Sequence, residues 1–347
     1  MKLPEHILVI RLSAPGDVAM TVPVLHSFKK KYPSVKLTVL TGKRLAPLFN
    51  GLDASLFLAD TKTDHKGFTG LLKIFQQIND LNKTIPIDGI ADLHNVLRSQ
   101  VIRTLYKMKG VKTASVDKGR AEKKELTRKE NKILKQLPST FHRYRNVFEK
   151  LGFNFEFDFK TIFRNTTSLT DTIIPVTGPK QHKWIGVAPF AAYREKMYPP
   201  ELMEKIVEEL YADSSIQLIF FGSKEDAFRL TKWKEKFQNI IIAAGKFNLD
   251  EELVVMSHLD LMISMDSANM HFASLVNVPV VSVWGATHPF AGFMGWGQST
   301  SNASQIDLYC RPCSVFGNKP CYRGDHACMN QLSPSVITEQ IRKVLKD

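Results

Sequence analysis

Short apolar runs alternate along this chain with stretches whose apolar positions recur every three or four residues. In the first half, HILVIRL (6–12), VKLTVLT (35–41) and DGIADLH (88–94) have strand length and composition, and the spacing after the first predicts a helix from Val18 to Tyr32. FHRYRNVFEKLGF sets Phe141, Tyr144, Phe148 and Leu151 at helical spacing and stops on Gly152. From about Phe153 to Lys183 no long periodic segment occurs; NTTSLTDT and PVTGPKQ mark this stretch as a linker. The alternation then restarts with KWIGVAPF, a helix from about Pro200 to Tyr211, and the strand-like runs IQLIFFGS, NIIIAAG, LDLMISMD and VPVVSVWG. SPSVITEQIRKVLK predicts a terminal helix.

Strands alternating with helices predict parallel sheets covered on both faces. The expected fold is α/β, with two Rossmann-like doubly wound domains facing a cleft, at residues 1–165 and 180–330, and a C-terminal helix at 331–347. Ligands of such sheets sit beyond the carboxyl ends of the strands, so the turns after strands are where chemistry is expected.

Composition agrees with this picture. A chain of 347 residues, 44% hydrophobic, suits two globular domains and excludes a disordered chain. No run approaches the roughly 18 consecutive apolar residues of a membrane span. The N-terminal apolar run has no small-residue cleavage site after it, so no secretory signal is read and a cytoplasmic location is expected. Charge adds more. The net charge of +13 is concentrated between Arg98 and Lys150, where 16 Lys+Arg face 5 Asp+Glu. Most charge runs are solvated helix faces, but this surplus favours an anionic partner. No nucleic-acid signature accompanies it, which leaves a membrane surface or a phosphorylated substrate ahead of nucleic acid.

Three strand-end turns carry candidate chemistry. RLSAPGDVAMTVPVL places Asp17 where a strand gives way to a helix, a position that suits either a helix cap or a catalytic carboxylate. MISMDSANMHFASLV ends a strand at Asp266 and passes through Ser267 and Ala268 into a helix with His271 in its first turn. The free N–H groups of that helix start form an anion site. PFAAYREKMYPP carries Arg194 and Lys196, cations suited to clamping a diphosphate. FFGSKED adds a small-residue turn that alone is weak. The chain has no G-x-G-x-x-G, against a nicotinamide enzyme, and no Asp-x-Asp, so lysine, helix dipoles and N–H groups are expected to neutralise phosphates. All four cysteines, Cys310, Cys313, Cys321 and Cys328, fall in one short tail segment, where a structural zinc, disulfides and free thiols all remain open.

IRLSAPGDVAMTVPVLHSFKKKYP and MDSANMHFASLVNVPVVSVWGATHP resemble the two signature stretches of glycosyltransferase family 9, the lipopolysaccharide heptosyltransferases. LRSQ, KGRAEKK, the HRYRNVFEKLG helix, KMYPP and the tail ending in CMNQLSP follow in that family's order, so the resemblance runs almost the whole chain. It implies a GT-B architecture with an N-terminal acceptor domain and a C-terminal nucleotide-sugar donor domain, and an inverting transferase that needs no Asp-x-Asp metal site. On matched positions it implies Asp17 as the catalytic carboxylate, Lys196 as the phosphate-binding lysine, and Asp266 and His271 as the donor-site pair of the DSG-x-MH pattern. Ala268 stands where that pattern has glycine, and Asn269 precedes Met270.

The reading is an inverting glycosyltransferase that takes a sugar from a nucleoside-diphosphate donor, ADP-heptose first, to an anionic lipopolysaccharide-core or lipid-linked acceptor. It is expected peripherally at the inner face of the cytoplasmic membrane, with no cofactor needed for the chemistry. Donor contacts are Lys196, Asp266, Ser267, Ala268 and His271; acceptor contacts are Arg98, Lys118 and Arg120 in the basic segment. The alternatives are another sugar-nucleotide enzyme of the same architecture, such as an epimerase, and a non-catalytic binder of anionic glycolipid.

Overall fold

A computed structural model describes residues 2–163, 165 and 167–346. Arg164 and Thr166, inside the stretch read as a linker, lie outside the described residues, as do the two terminal residues.

The chain forms two compact units, each built on one parallel sheet. Unit 1 comprises residues 1–118 and 140–164. Its strands are β1 (His6–Ile10), β2 (Lys36–Gly42), β3 (Ser55–Ala59), β4 (Gly89–Asp92) and β5 (Lys112–Ser115), in the order β3-β2-β1-β4-β5. β1 is buried at every position, as expected for a central parallel strand with both faces covered. Leu8, Ile10, Leu40 and Ile90 pack on Leu71, Ile74 and Ile78 of the Gly67–Leu81 helix and on Ile102 and Tyr106 of the Leu97–Met108 helix.

The single helix expected from Val18 to Tyr32 is two helices, Pro15–Ala19 and Val22–Lys31. Pro23 explains the break, because it lacks an N–H and its ring excludes a helical carbonyl four residues earlier. The Thr140–Leu151 helix forms as its spacing predicts and ends at Gly152 with φ +103°. The stretch after it is more than a linker. Phe153, Phe155, Phe159 and Ile162 are buried in unit 1, and the Phe153 ring lies edge-on to Phe28 and Tyr32.

Unit 2 comprises residues 119–139 and 165–347. Its strands are β6 (Lys183–Ala188), β7 (Ile216–Phe220), β8 (Ile241–Ile242), β9 (Leu261–Met265), β10 (Val280–Val283) and β11 (Ala303–Ser304), in the order β11-β10-β9-β6-β7-β8. The Pro200–Tyr211 helix and the terminal Pro334–Lys346 helix share one core, where Met203, Ile206, Val207, Ile337 and Ile341 cover Ile185, Val187, Ile263 and Val281.

The units differ in one respect from a division at a single linker. Residues 119–139, the densest part of the basic segment, pack with unit 2. Leu126 and Leu137 are buried against Ala291, the Leu137 N–H donates to Phe290 O at 2.9 Å, and Lys132 Nζ donates to Cys310 O at 2.8 Å. Lys123 is only 7% exposed and its ammonium lies 4.2 Å from the Phe293 ring centroid. A long cationic side chain covering an aromatic face reads, from sequence, as a solvated one.

Candidate active site

Each sheet has one place where successive connections leave in opposite directions, and each of these switch points carries an ion pair. In unit 1 it lies between β1 and β4, the central neighbours of the strand order. Arg11 directly follows β1 and Asp17 lies in the first turn of the Pro15–Ala19 helix, with Arg11 Nη2 at 2.7 Å from Asp17 Oδ2. Arg11 is buried; its Nη1 donates to Leu93 O in the turn after β4 at 2.8 Å, and its guanidinium lies 5.9 Å from the Tyr144 ring centroid. The Asp17 side chain keeps 33% of its surface exposed against 7% for Arg11, so the pair presents its carboxylate.

Asp17 is not a hydrogen-bonding helix cap. The Pro15–Ala19 helix has Ala14 at its N-cap without a side-chain bond, and the Asp17 carboxylate in its first turn is engaged by Arg11. The strand-end turn and the resemblance both pointed to Asp17; Arg11 was missed because it lies inside the run read as a strand, which ends at Ile10. A lone arginine in the apolar run HILVIRL, six residues before a carboxylate, was the available signal.

In unit 2 the switch point lies between β6 and β9. Lys196 comes from the turn after β6 and Asp266 from the turn after β9, with Nζ and Oδ2 2.9 Å apart. Here the carboxylate is the more deeply buried partner, 7% exposed against 16% for the ammonium. Asp266 leads into the Ala268–Leu275 helix, whose N-cap Ser267 makes no side-chain cap bond, and His271 is buried in the first turn. The helix start therefore keeps backbone N–H groups for an anion. Ala268 occupies the first helical position.

Two further contacts set Lys196. The Ala286 N–H after β10 donates to Glu195 O at 3.1 Å, docking the Arg194–Lys196 turn onto the neighbouring strand end. Gly317, with φ +74°, lies against the lysine stem: a Cβ there would come within 2.3 Å of Lys196 Cγ. Only a residue without a side chain fits, so the cysteine-bearing tail positions the lysine.

The predicted acceptor cations fall on both units. Arg98 is exposed and its Nη1 donates to Thr61 at 3.4 Å; it and Lys118 belong to unit 1. Arg120 is exposed and belongs to unit 2.

The model of glycosyltransferase family 9 (heptosyltransferase) matches residues 83–320. The chain belongs to glycosyltransferase family 9. It is accordingly a glycosyltransferase, with the GT-B fold that its two parallel-sheet units show. It is 22% identical over 338 residues to lipooligosaccharide heptosyltransferase 2 of Campylobacter jejuni, covering 96% of each chain. Among solved structures, a family 9 glycosyl transferase from Veillonella parvula matches with a TM-score of 0.75 at 19% identity, covering 100% of this chain and 99% of that one. The ADP-heptose lipopolysaccharide heptosyltransferase II of Escherichia coli matches with a TM-score of 0.69 at 16% identity, covering 98% of both chains.

In this family 9 transferase the four cysteines line one cavity of about 10 Å³, no more than a single water needs. All four are free thiols, and among the described residues no group of three or more His, Cys, Asp or Glu is arranged to hold a metal ion. Burial pushes the Cys313 thiol up and the Cys328 thiol up to about 11, which favours the protonated form. Arg311 holds the tail. It is 3% exposed and donates to Gly285 O at 2.6 Å, Thr287 O at 3.1 Å and Gln305 Oε1 at 2.8 Å.

Proposed function

We propose that this transferase moves heptose from ADP-heptose to a lipopolysaccharide-core acceptor with inversion at the anomeric carbon. The carrying observation is the opposite presentation of the two switch-point ion pairs, a carboxylate in unit 1 and an ammonium beside an uncapped helix start in unit 2. Heptosyl transfer draws on the family and on the activity named for its relatives.

Asp17 accepts the proton of the acceptor hydroxyl as that oxygen bonds to the anomeric carbon and the bond from that carbon to the diphosphate breaks. Arg11 engages Oδ2, and among the described residues Oδ1 carries no hydrogen bond, which leaves it for the hydroxyl. Lys196 and the N–H groups at Ser267 and Ala268 stabilise the negative charge gathering on the departing diphosphate, with His271 and Asp266 completing the donor site. One displacement inverts the configuration. Arg98, Lys118 and Arg120 supply positive charge toward an anionic acceptor. Among the described residues no helix is long and apolar enough to cross a membrane. On this reading a lipid-linked acceptor is met peripherally at the inner membrane face.

The test incubates the purified chain with ADP-heptose and an O-deacylated, heptose-free lipopolysaccharide core. Formation of a glycoside of inverted anomeric configuration, read by NMR, supports the proposal. Release of free epimerised sugar favours the epimerase reading, and donor binding without turnover favours the binder.

A further inference from the structure

His94 is a residue of unit 1 that the mechanism above does not use. It follows β4, the strand beside β1, and so shares the switch point with Asp17. Its position is built by its neighbours. The fully buried Asp92 accepts hydrogen bonds from the His94 N–H at 3.0 Å and the Asn95 N–H at 2.7 Å, and is itself held by Arg103 at 3.1 Å. Asn95 takes a left-handed φ of +45° and donates from Nδ2 to Val116 O at 3.0 Å. The turn is thus fixed on both sides of the histidine.

The His94 side chain is nine-tenths buried, and its Nδ1 is shielded from solvent without a hydrogen-bond partner. A buried polar atom left unpaired is costly, and such atoms recur where a ligand completes the bonding. The charged groups acting on the ring are Arg11, Lys118, Asp17 and Arg98. Burial, then the three cations, push its pKa down to about 4, with Asp17 opposing them, so the ring is neutral near pH 7. A neutral imidazole offers one N–H and one lone pair. Whichever nitrogen faces the site, a hydroxyl can pair with it, because a hydroxyl both donates and accepts. An anionic group is better met by the cations already present.

We propose that His94 contacts the acceptor, hydrogen-bonding a second hydroxyl of the sugar whose neighbouring hydroxyl gives its proton to Asp17. The site then selects acceptors that carry a polyol where transfer occurs. This rests on the reading of Asp17 as the base, and it deepens that reading by giving the acceptor side a specificity residue. The ring itself is too weakly basic to replace the carboxylate.

The test uses the full chain with ADP-heptose and the O-deacylated, heptose-free core. His94→Ala should raise the acceptor KM about tenfold, the weight of one lost hydrogen bond, and leave the donor KM unchanged. His94→Gln, which keeps a donor and an acceptor, should recover most of the loss. In the wild-type chain the His94 ring nitrogen resonances should move on adding the core and stay in place on adding ADP. That measurement holds even where His94→Ala fails to fold. Unchanged acceptor kinetics in His94→Ala, equal losses in donor and acceptor KM, or a ring signal indifferent to saturating core would overturn the assignment while leaving heptosyl transfer standing. A wild-type chain that transfers nothing from ADP-heptose to the core overturns the functional reading and this assignment with it.

Discussion

The two units close their switch points with the same kind of pair and present opposite ends of it. In unit 1 the guanidinium of Arg11 is buried and the Asp17 carboxylate is a third exposed; in unit 2 the Asp266 carboxylate is buried and the Lys196 ammonium is the more exposed partner. Coulomb attraction is common to both pairs and so does not distinguish them. The difference is which partner the fold withdraws from water, and therefore which charge is left to meet a substrate. On the proposed reading, a proton acceptor and a diphosphate clamp are made from one device, reversed.

The largest expected effect is on the carboxylate side. Asp17→Asn should lower turnover by about 10²- to 10⁴-fold at saturating substrates, the usual loss when a general base is removed. Donor affinity, followed by calorimetry with ADP, should stay near that of the wild type. Melting temperature should fall as well, because Arg11 is left buried without its counter-ion. Near-normal turnover in this variant would reduce the unit 1 pair to a structural one.

Lys196→Ala tests the reversed pair. Losing a charge-assisted phosphate contact should raise the donor KM by about 10- to 100-fold and lower kcat. The variant should also melt earlier, since Asp266 is left buried and unpaired. Asp266→Asn in the Lys196→Ala background should restore part of the melting temperature and none of the donor affinity. Joint recovery of both would show that the ammonium acts only through stability.

Much of this was legible in the sequence because the central parallel strands are mostly apolar and buried at every position, as β1, β9 and β10 show. β3 and β5 escaped: Ser55–Ala59 alternates as an edge strand, and Lys112–Ser115 is mostly polar. Asp17, Lys196 and Asp266 were legible as motif positions, while their pairing was not, because β6 and β9 are neighbours in space and some seventy residues apart in sequence. Gly317 carries no local signal at all. Its constraint comes from the Lys196 stem lying against it. The basic run misled for a related reason, since charge alone does not reveal that Lys123 covers an aromatic ring.

A smaller effect, on stability against pH, compares the units again. His94 in unit 1 and His288 in unit 2 are both pushed down to about 4, chiefly by burial and then by a nearby arginine. In the unfolded chain both titrate near 6.5, so between pH 6.5 and about 4 the unfolded state binds protons that the folded state refuses. Stability is therefore full above 6.5 and is lost as pH falls toward 4. The melting temperature should drop by several degrees between pH 7.5 and 5, and His94→Gln should flatten part of that slope. A slope unchanged by His94→Gln would assign it to other groups.

The smallest effect concerns the basic segment, which the two units divide. Arg98→Glu with the half-buried Lys118→Glu in unit 1, or the exposed Arg120→Glu with Lys124→Glu in unit 2, reverses charge on each unit in turn. If the positive field steers an anionic acceptor, each pair of reversals should lower acceptor kcat/KM a few-fold at low salt, because exposed charges act over about 10 Å at 0.1 M salt and less above it. At 0.5 M salt the difference from wild type should vanish, and the donor KM should not move at either salt. Lys123→Glu belongs to another class. It places a carboxylate against the Phe293 ring in a buried position, so its loss should appear in melting temperature and persist at high salt. If Lys123→Glu instead behaves like the exposed reversals, the packing of residues 119–139 into unit 2 is not what holds that lysine, and the segment is the solvated face its composition first suggests.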